Sequence, residues 1–148
     1  MDAVKQINNA LLSRIQLVLP DHKELDFSYF PQTNNFYNNF KRYGTTIGSA
    51  NSTPTITKAL SFTQIFSVIL TDAYKGTDHD ESDLKIKIFD LHDRLSNVLK
   101  DLYWTNLGLP NLVYQVAPLS IDAPFIVEAQ QLIILTSSLN IQYRLDLI

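Results

Sequence analysis

The residues that could carry out chemistry are few and scattered. None of the three histidines, His22, His79 and His92, lies three or four residues from another, so no helical pair of zinc ligands can form. The four glycines are too far apart for a P-loop or a dinucleotide-binding turn, and no G-x-S-x-G elbow occurs. There is no cysteine, which excludes disulfides, thiolate zinc sites and cysteine nucleophiles. The sequence therefore predicts no enzymatic activity and no cofactor.

Two features could still suggest a metal site. His92–Asp93 invites comparison with metal-dependent phosphohydrolases, but His92 follows the apolar Leu91 on a helix and should point outward. An acidic run could bind a hard cation through its carboxylates, and it consists of Asp78, Asp80, Glu81 and Asp83. This run lacks the glycine and the distal glutamate of an EF-hand loop, and acidic residues at a helix start already favour the helix dipole. We expect no metal site.

The charge pattern argues against nucleic-acid binding and suggests an alternative. Net charge is −3, and the only basic pair, Lys41–Arg42, stands between Phe40 and Tyr43. Residues 1–60 hold six Lys and Arg against four Asp and Glu, whereas residues 61–148 hold six against eleven. Balances of +2 and −5 could bring copies together head to tail, or could be chance placement of solvated charges. We expect no specific nucleic-acid binding.

The elements that would position these residues follow from hydrophobic periodicity. A helix is predicted over residues 3–18 with Asp2 as its N-cap, and a second over about 80–104 with Gly108 just beyond its end. Alternating residues predict four strands, at 24–30, 59–74, 111–121 and 132–144. The last strand, "LIILTSSLNIQYR", is about twice the usual length and has one apolar face.

The segment 31–54 is predicted to be a long loop because Asn, Thr, Ser and Gly dominate it. Phe36, Phe40 and Tyr43 are spaced three and four apart, so one helical turn could present them together. They could pin the loop onto the domain or form a surface for a partner, and the sequence leaves both open.

This order of elements indicates one α+β domain spanning 1–148. We expect a largely antiparallel sheet, with the N-terminal helix and a long central helix packed on one face. The first twenty residues lack a signal-peptide cleavage site, and no stretch is long and apolar enough for a membrane helix.

Residues 60–146 resemble the tail terminator proteins of long-tailed bacteriophages, a family of tail-completion or neck proteins. The resemblance lies in the succession of "FSVILTDAY", an acidic amphipathic helix that ends "LYWTNLGLPNLV", and "LSIDAPFIVEAQQLIILTSSLNIQYR". The closing aromatic–basic pair, Tyr143–Arg144, is its most suggestive part. Residues 1–59 match only in the general order of elements.

The resemblance implies a virion structural protein. Such proteins form a ring, commonly a homohexamer, that caps the tail tube, ends its polymerisation and offers a docking surface for the head-completion or connector protein. The expected partners are further copies of the chain, the tail tube protein and the connector protein. The expected location is the head-proximal end of the virion tail, after assembly in the host cytoplasm. The alternative is another phage neck or head-completion adaptor that acts as a binding module.

The ring needs two different surfaces on each subunit, and charge suggests where to place them. One surface would carry the acidic residues Asp78, Asp80, Glu81 and Asp83. The other would carry Phe36, Phe40, Lys41, Arg42 and Tyr43. The resemblance supplies none of these residues.

Overall fold

A computed structural model of the chain describes residues 2–24, 41–54, 59–74 and 81–146. Its elements, in chain order, are α1 (Ala3–Val18), β1 (Lys23–Glu24), β2 (Arg42–Pro54), β3 (Ala59–Ala73), α2 (Glu81–Leu102), β4 (Val113–Ile121), β5 (Phe125–Val127), a 3-10 turn (Glu128–Gln130) and β6 (Leu132–Asp146). The chain is therefore an α+β protein. The predicted helix at 3–18 is confirmed, and the Asp2 side chain accepts from the Val4 N–H as its cap.

The six strands form one sheet in the order β1-β2-β3-β6-β4, with β5 beside β6. Within the part of the chain that the structure describes, the short β1–β2 pair is parallel and the other four pairs are antiparallel. At the centre, β3 and β6 pair without interruption along all 15 residues of each strand. The long final strand predicted from the sequence is thus a central strand of the sheet.

One face of the sheet carries the core. Directly opposed residues of β3 and β6 share this face, and the two helices pack on it. Its fully buried members include Phe66, Val68 and Leu70 of β3, and Leu139 and Ile141 of β6. The alternation predicted for both strands is confirmed.

The opposite face is mostly uncharged and polar. Thr46, Ser67, Ser138 and Ser120 follow one another across four strands. A second, smaller apolar cluster lies toward the end of β3, where Ile69 packs with Leu132 and Ile134 of β6.

The predicted loop at 31–54 is wrong for residues 42–54, which form β2, while residues 31–40 lie outside the described chain. A bulge interrupts the alternation that would have indicated this strand. Ile47 pairs with Phe66 of β3 but Ala50 pairs with Gln64, so the period of two is broken at Gly48 and Ser49. A Cβ on Gly48 would lie 3.1 Å from the Ile65 carbonyl oxygen, which favours glycine there. Residues 47–52 of β2 are exposed, which accounts for the small polar residues in this part of the strand.

The two helices, of 16 and 22 residues, both pack on the sheet, so the structure does not single out one long central helix. Four residues of the predicted apolar stripe are fully buried, namely Leu91, Leu95, Val98 and Leu102, and Leu84 and Ile88 are partly buried. The helix ends at Leu102 rather than near residue 104. The left-handed residue that follows is Trp104 (φ 60°), whereas Gly108 (φ 72°) belongs to the next turn.

Candidate interaction surface

The connection from α2 through β4 has an unusual composition. Residues 102–121 contain no charged residue. They include three aromatic residues of the types that are enriched at interfaces, Tyr103, Trp104 and Tyr114, and several leucines, among them Leu107, Leu109, Leu112 and Leu119. Leu107 lies in the core, whereas Tyr103, Trp104, Tyr114 and Leu119 are exposed. These exposed side chains belong to β4 or to the segment that leads into it from α2.

The strand β4 is an edge strand, since within the described residues it pairs only with β6. Two bulges interrupt that pairing, at Tyr114 and Leu119. Arg144 of β6 places its guanidinium 5.7 Å from the centre of the Tyr114 ring. Soluble proteins usually guard an edge strand with charged side chains of its own, and β4 has none.

Tyr103 and Trp104 are held in a fixed arrangement at this edge. Their rings make an edge-to-face contact with centroids 5.8 Å apart. The backbone N–H of Trp104 donates to the Val116 carbonyl of β4 at 2.9 Å. Trp104 is 63% exposed although its φ of 60° is a strained conformation for a bulky residue. Such strain is concentrated at functional sites, which makes this aromatic pair the leading candidate for a contact.

A groove of about 350 Å³ lies beside this pair, between α2 and β4. We call it the α2–β4 groove, and its lining residues are Ser96, Leu99, Lys100, Tyr103 and Pro118. Lys100 is the only charged residue among them and is exposed. The groove is otherwise mainly apolar.

A second concavity lies on the other side of the molecule, between α1 and the strands β1 and β2. This α1 hollow has a volume of about 500 Å³ and is lined by Asn9, Leu12, Ser13, Gln16, Leu17, Glu24 and Tyr43. Among the described residues, Glu24 is the only charged one in its lining, and Leu17 is 77% exposed.

The buried charges of the described chain are committed to one another. Arg94 of α2 contacts the buried carboxylate of Asp72 at 3.1 Å and also pairs with Asp90. The Ala73 N–H donates to the same Asp72 carboxylate at 2.8 Å. These bonds tie α2 to the end of β3, a structural role.

His22 lies near this network and is 4% exposed, with no hydrogen-bond partner for either ring nitrogen among the described residues. Burial, followed by the charge of the nearby Arg94, lowers the pKa of His22 from 6.5 to about 4. The carboxylate of Asp72 acts in the opposite direction, and its effect is smaller. The imidazole is therefore neutral in the folded chain at pH 7.

Stability should fall as the pH drops from about 6.5 toward 4. In this window the unfolded chain protonates His22 while the folded chain does not, so acid favours unfolding, by on the order of 2 kcal/mol in total. The measurement is urea unfolding across this range, compared with His22→Leu. The variant should be at least as stable as the wild type at pH 7, because it removes an unpaired polar ring, and should lose less stability in acid. Parallel pH profiles for the two chains would contradict this.

Several predicted site residues cannot be placed. Phe36, Phe40, Asp78 and Asp80 lie outside the described residues, as does the side chain of Glu81. Asp83 lies in the first turn of α2, and Arg42 begins β2 opposite Thr71 of β3. The Arg42 guanidinium donates to the Glu24 carbonyl at 3.1 Å, and the Lys41 carbonyl accepts from the Lys23 N–H.

The start of α2 and the start of β2 lie toward the same end of the sheet. Arg94 of α2 contacts Asp72 close to the end of β3, and the residues after α2 bond to Val116 further along the sheet. The helix therefore begins toward the end at which Arg42 lies, so Asp83 and Arg42 are at the same end of the sheet.

Tyr43, which was predicted to belong to an interface surface, is buried in the structure. Tyr43 is 3% exposed, and its hydroxyl donates to Gln16 Oε1 of α1 at 2.7 Å. Burial, followed by the charge of Glu24, raises the pKa of Tyr43 above 10. The residue faces the helices because it lies in β2, on the same face as its partner Leu70.

The residues that the sequence analysis missed are Tyr103, Trp104 and Leu119. A signal was present, since the uncharged stretch 102–121 is rich in aromatic residues, but an edge strand cannot be told from a central one by composition. The outward orientation expected for His92 is confirmed.

Among the described residues, no group of three or more His, Asp or Glu side chains could hold a metal ion. In the same part of the chain, neither helix meets the length and hydropathy that crossing a membrane requires. The acidic residues before Glu81 fall outside this statement.

No protein-family model matches this chain, and no curated protein matches it.

Proposed function

We propose that the chain is a structural assembly protein of a long-tailed phage that acts by surface recognition. In this proposal, copies of the chain form a ring at the head-proximal end of the tail tube, stop tube polymerisation and present a docking surface for the connector. The resemblance of residues 60–146 to tail terminators supports the identity of the partners. The exposed Tyr103–Trp104 pair beside the uncharged edge strand is the observation that supports binding to protein.

The chemistry of this surface suits a protein partner. Tyr and Trp are enriched among the residues that dominate interface energies, and depletion of charge marks the centre of an interface. Both aromatic side chains are more than 60% exposed and have rigid neighbours, so little ordering would oppose binding. The edge strand β4 has no charged side chain of its own, and its protection against unspecific pairing comes from its two bulges and Pro118.

The architecture also suits a ring. The sheet is long, because β2, β3 and β6 have 13, 15 and 15 residues, and its two edges are different strands. A subunit with two different sides can contact its neighbours head to tail, and such contacts close into rings when the rotation permits.

Deletion of the coding gene from the phage tests this function. Tails should then grow to uncontrolled length and fail to join heads, and a supplied wild-type copy should restore both. A supplied copy with Phe89→Ala should also restore both, since this substitution removes an exposed aromatic side chain of α2 that is not part of the Tyr103–Trp104 pair. Head-joined tails of normal length without the protein would contradict the proposal. Normal-length tails that fail to join heads would favour the adaptor alternative.

A further inference from the structure

We propose that the Tyr103–Trp104 pair of one copy enters the α1 hollow of the next copy, with Lys100 facing Glu24 across the contact. The inference rests on the proposed function, because the occupant of the hollow is a second copy of the chain. Beyond that function, the inference specifies which two surfaces are in contact and which charged residues pair.

The topology places the two surfaces on opposite sides of the subunit. The α1 hollow lies beside β1 and β2, and the α2–β4 groove lies beside β4, which are the two ends of the strand order. Each helix covers its own side, because Thr45 of β2 bonds to Asn8 of α1 whereas Pro118 of β4 lies beside α2. Two different surfaces at opposite edges are what a head-to-tail ring contact requires.

One surface projects from the molecule and the other is a hollow. Trp104 and Tyr103 project from their edge, with 63% and 61% of their surfaces exposed. The α1 hollow, at about 500 Å³, is within the range of sites that hold a ligand, about 300–1,000 Å³. Its rim includes Leu12 and Leu17, which offer apolar surface to an aromatic ring.

The two surfaces are complementary in charge. Among the described lining residues, each surface has one charged side chain, and the signs are opposite: Lys100 in the α2–β4 groove and Glu24 in the α1 hollow. The Trp104 indole N–H can only donate, and the Glu24 carboxylate can only accept. The Gln16 amide, by contrast, already donates to the Leu19 and His22 carbonyls and accepts from Tyr43. Asn9 and Ser13 are exposed polar lining residues as well, but Glu24 is the one described lining residue of the hollow whose charge is opposite to that of Lys100.

The absence of native cysteines allows a direct test by crosslinking. Two chains, Glu24→Cys and Lys100→Cys, are mixed and treated with a short bismaleimide, with and without tail tubes. Both positions are exposed, so neither substitution should disturb the fold. The mixture should give a crosslinked dimer that neither chain gives alone, and a chain with both substitutions should give a ladder that ends at the closed ring.

Lys85→Cys is the matched control for Lys100→Cys. It is an exposed lysine on the same helix, 15 residues earlier and so about 22 Å away along the axis. Efficient crosslinking of Lys85→Cys with Glu24→Cys, or of Lys100→Cys with itself, would overturn the inference. Rings that form without the Glu24–Lys100 crosslink would overturn the inference and leave the proposed function standing. Failure of the wild-type chain to assemble, in solution and on tubes, would overturn both.

A substitution of Trp104 gives an independent readout. Trp104→Asn should weaken assembly at least about 30-fold, as the loss of a central aromatic residue does, and asparagine tolerates the left-handed backbone. Phe89→Ala, which removes an aromatic side chain of similar exposure, should change assembly less than about fivefold. An unchanged melting temperature for Trp104→Asn shows that the fold is intact. Equal effects of the two variants on assembly would overturn the inference.

Discussion

Replacing Arg94 by methionine is expected to lower the free energy of unfolding by about 3–5 kcal/mol, the usual cost of removing one partner of a buried ion pair. The Asp72 side chain is 4% exposed, and its carboxylate would lose the guanidinium that lies 3.1 Å away. The backbone N–H of Ala73 would remain as a donor, but one neutral hydrogen bond does not compensate a buried charge. Urea unfolding at pH 7 measures the loss.

The double variant Asp72→Leu/Arg94→Met is the control for this prediction. Replacing a whole buried pair by apolar side chains is often neutral or stabilising, so the double variant should recover part of the lost stability. Asp90→Asn should cost about 0–1 kcal/mol, because Asp90 is 46% exposed. A single Arg94→Met variant as stable as the wild type would show that Asp72 does not depend on this pair.

Leu95→Ala is expected to lower the free energy of unfolding by about 2–5 kcal/mol, through lost apolar burial and the cavity that remains. Leu95 is fully buried in the middle of α2, within the cluster that joins both helices to the sheet. Thermal and urea unfolding should both show the loss.

Ile86→Ala is the matched control, since Ile86 lies on the same helix but is 63% exposed. It should change stability by about 0.5 kcal/mol or less. Equal effects of the two substitutions would mean that the stripe containing Leu95 is not the core face of α2.

The elements with an unbroken period could be predicted from the sequence. Residues 3–18 repeat at helical spacing after a capping Asp2, and residues 132–144 alternate without interruption. The structure has a helix at Ala3–Val18 and a strand at Leu132–Asp146. In both segments, the local sequence pattern and the tertiary packing favour the same conformation, so the pattern alone was sufficient to predict it.

The strand β2 could not be predicted because its conformation depends on a partner distant in sequence. Its Ser, Thr, Asn and Gly residues are typical of a loop, and the bulge at Gly48 and Ser49 breaks its alternation. Pairing with β3 supplies the backbone hydrogen bonds that override this local preference. The burial of Tyr43 follows from the same pairing.

The candidate surface was missed for a related reason. The sequence analysis located surfaces by charge, at the acidic run and at Lys41–Arg42, whereas exposure depends on the position of a strand in the sheet. Trp104 lies in the short segment between α2 and β4, where no periodicity indicates which side chains are exposed. In the structure it lies beside the edge strand β4, with 63% of its surface exposed.

The most direct test of the central claim is electron microscopy of negatively stained tail tubes of the same phage after incubation with the purified chain. Ring formation on the tube predicts additional ring-shaped density at one end only, built from several 16.9 kDa chains. Tubes capped in this way should no longer elongate when tube protein is added. Bare tube ends that continue to elongate beside a monomeric chain would contradict the account.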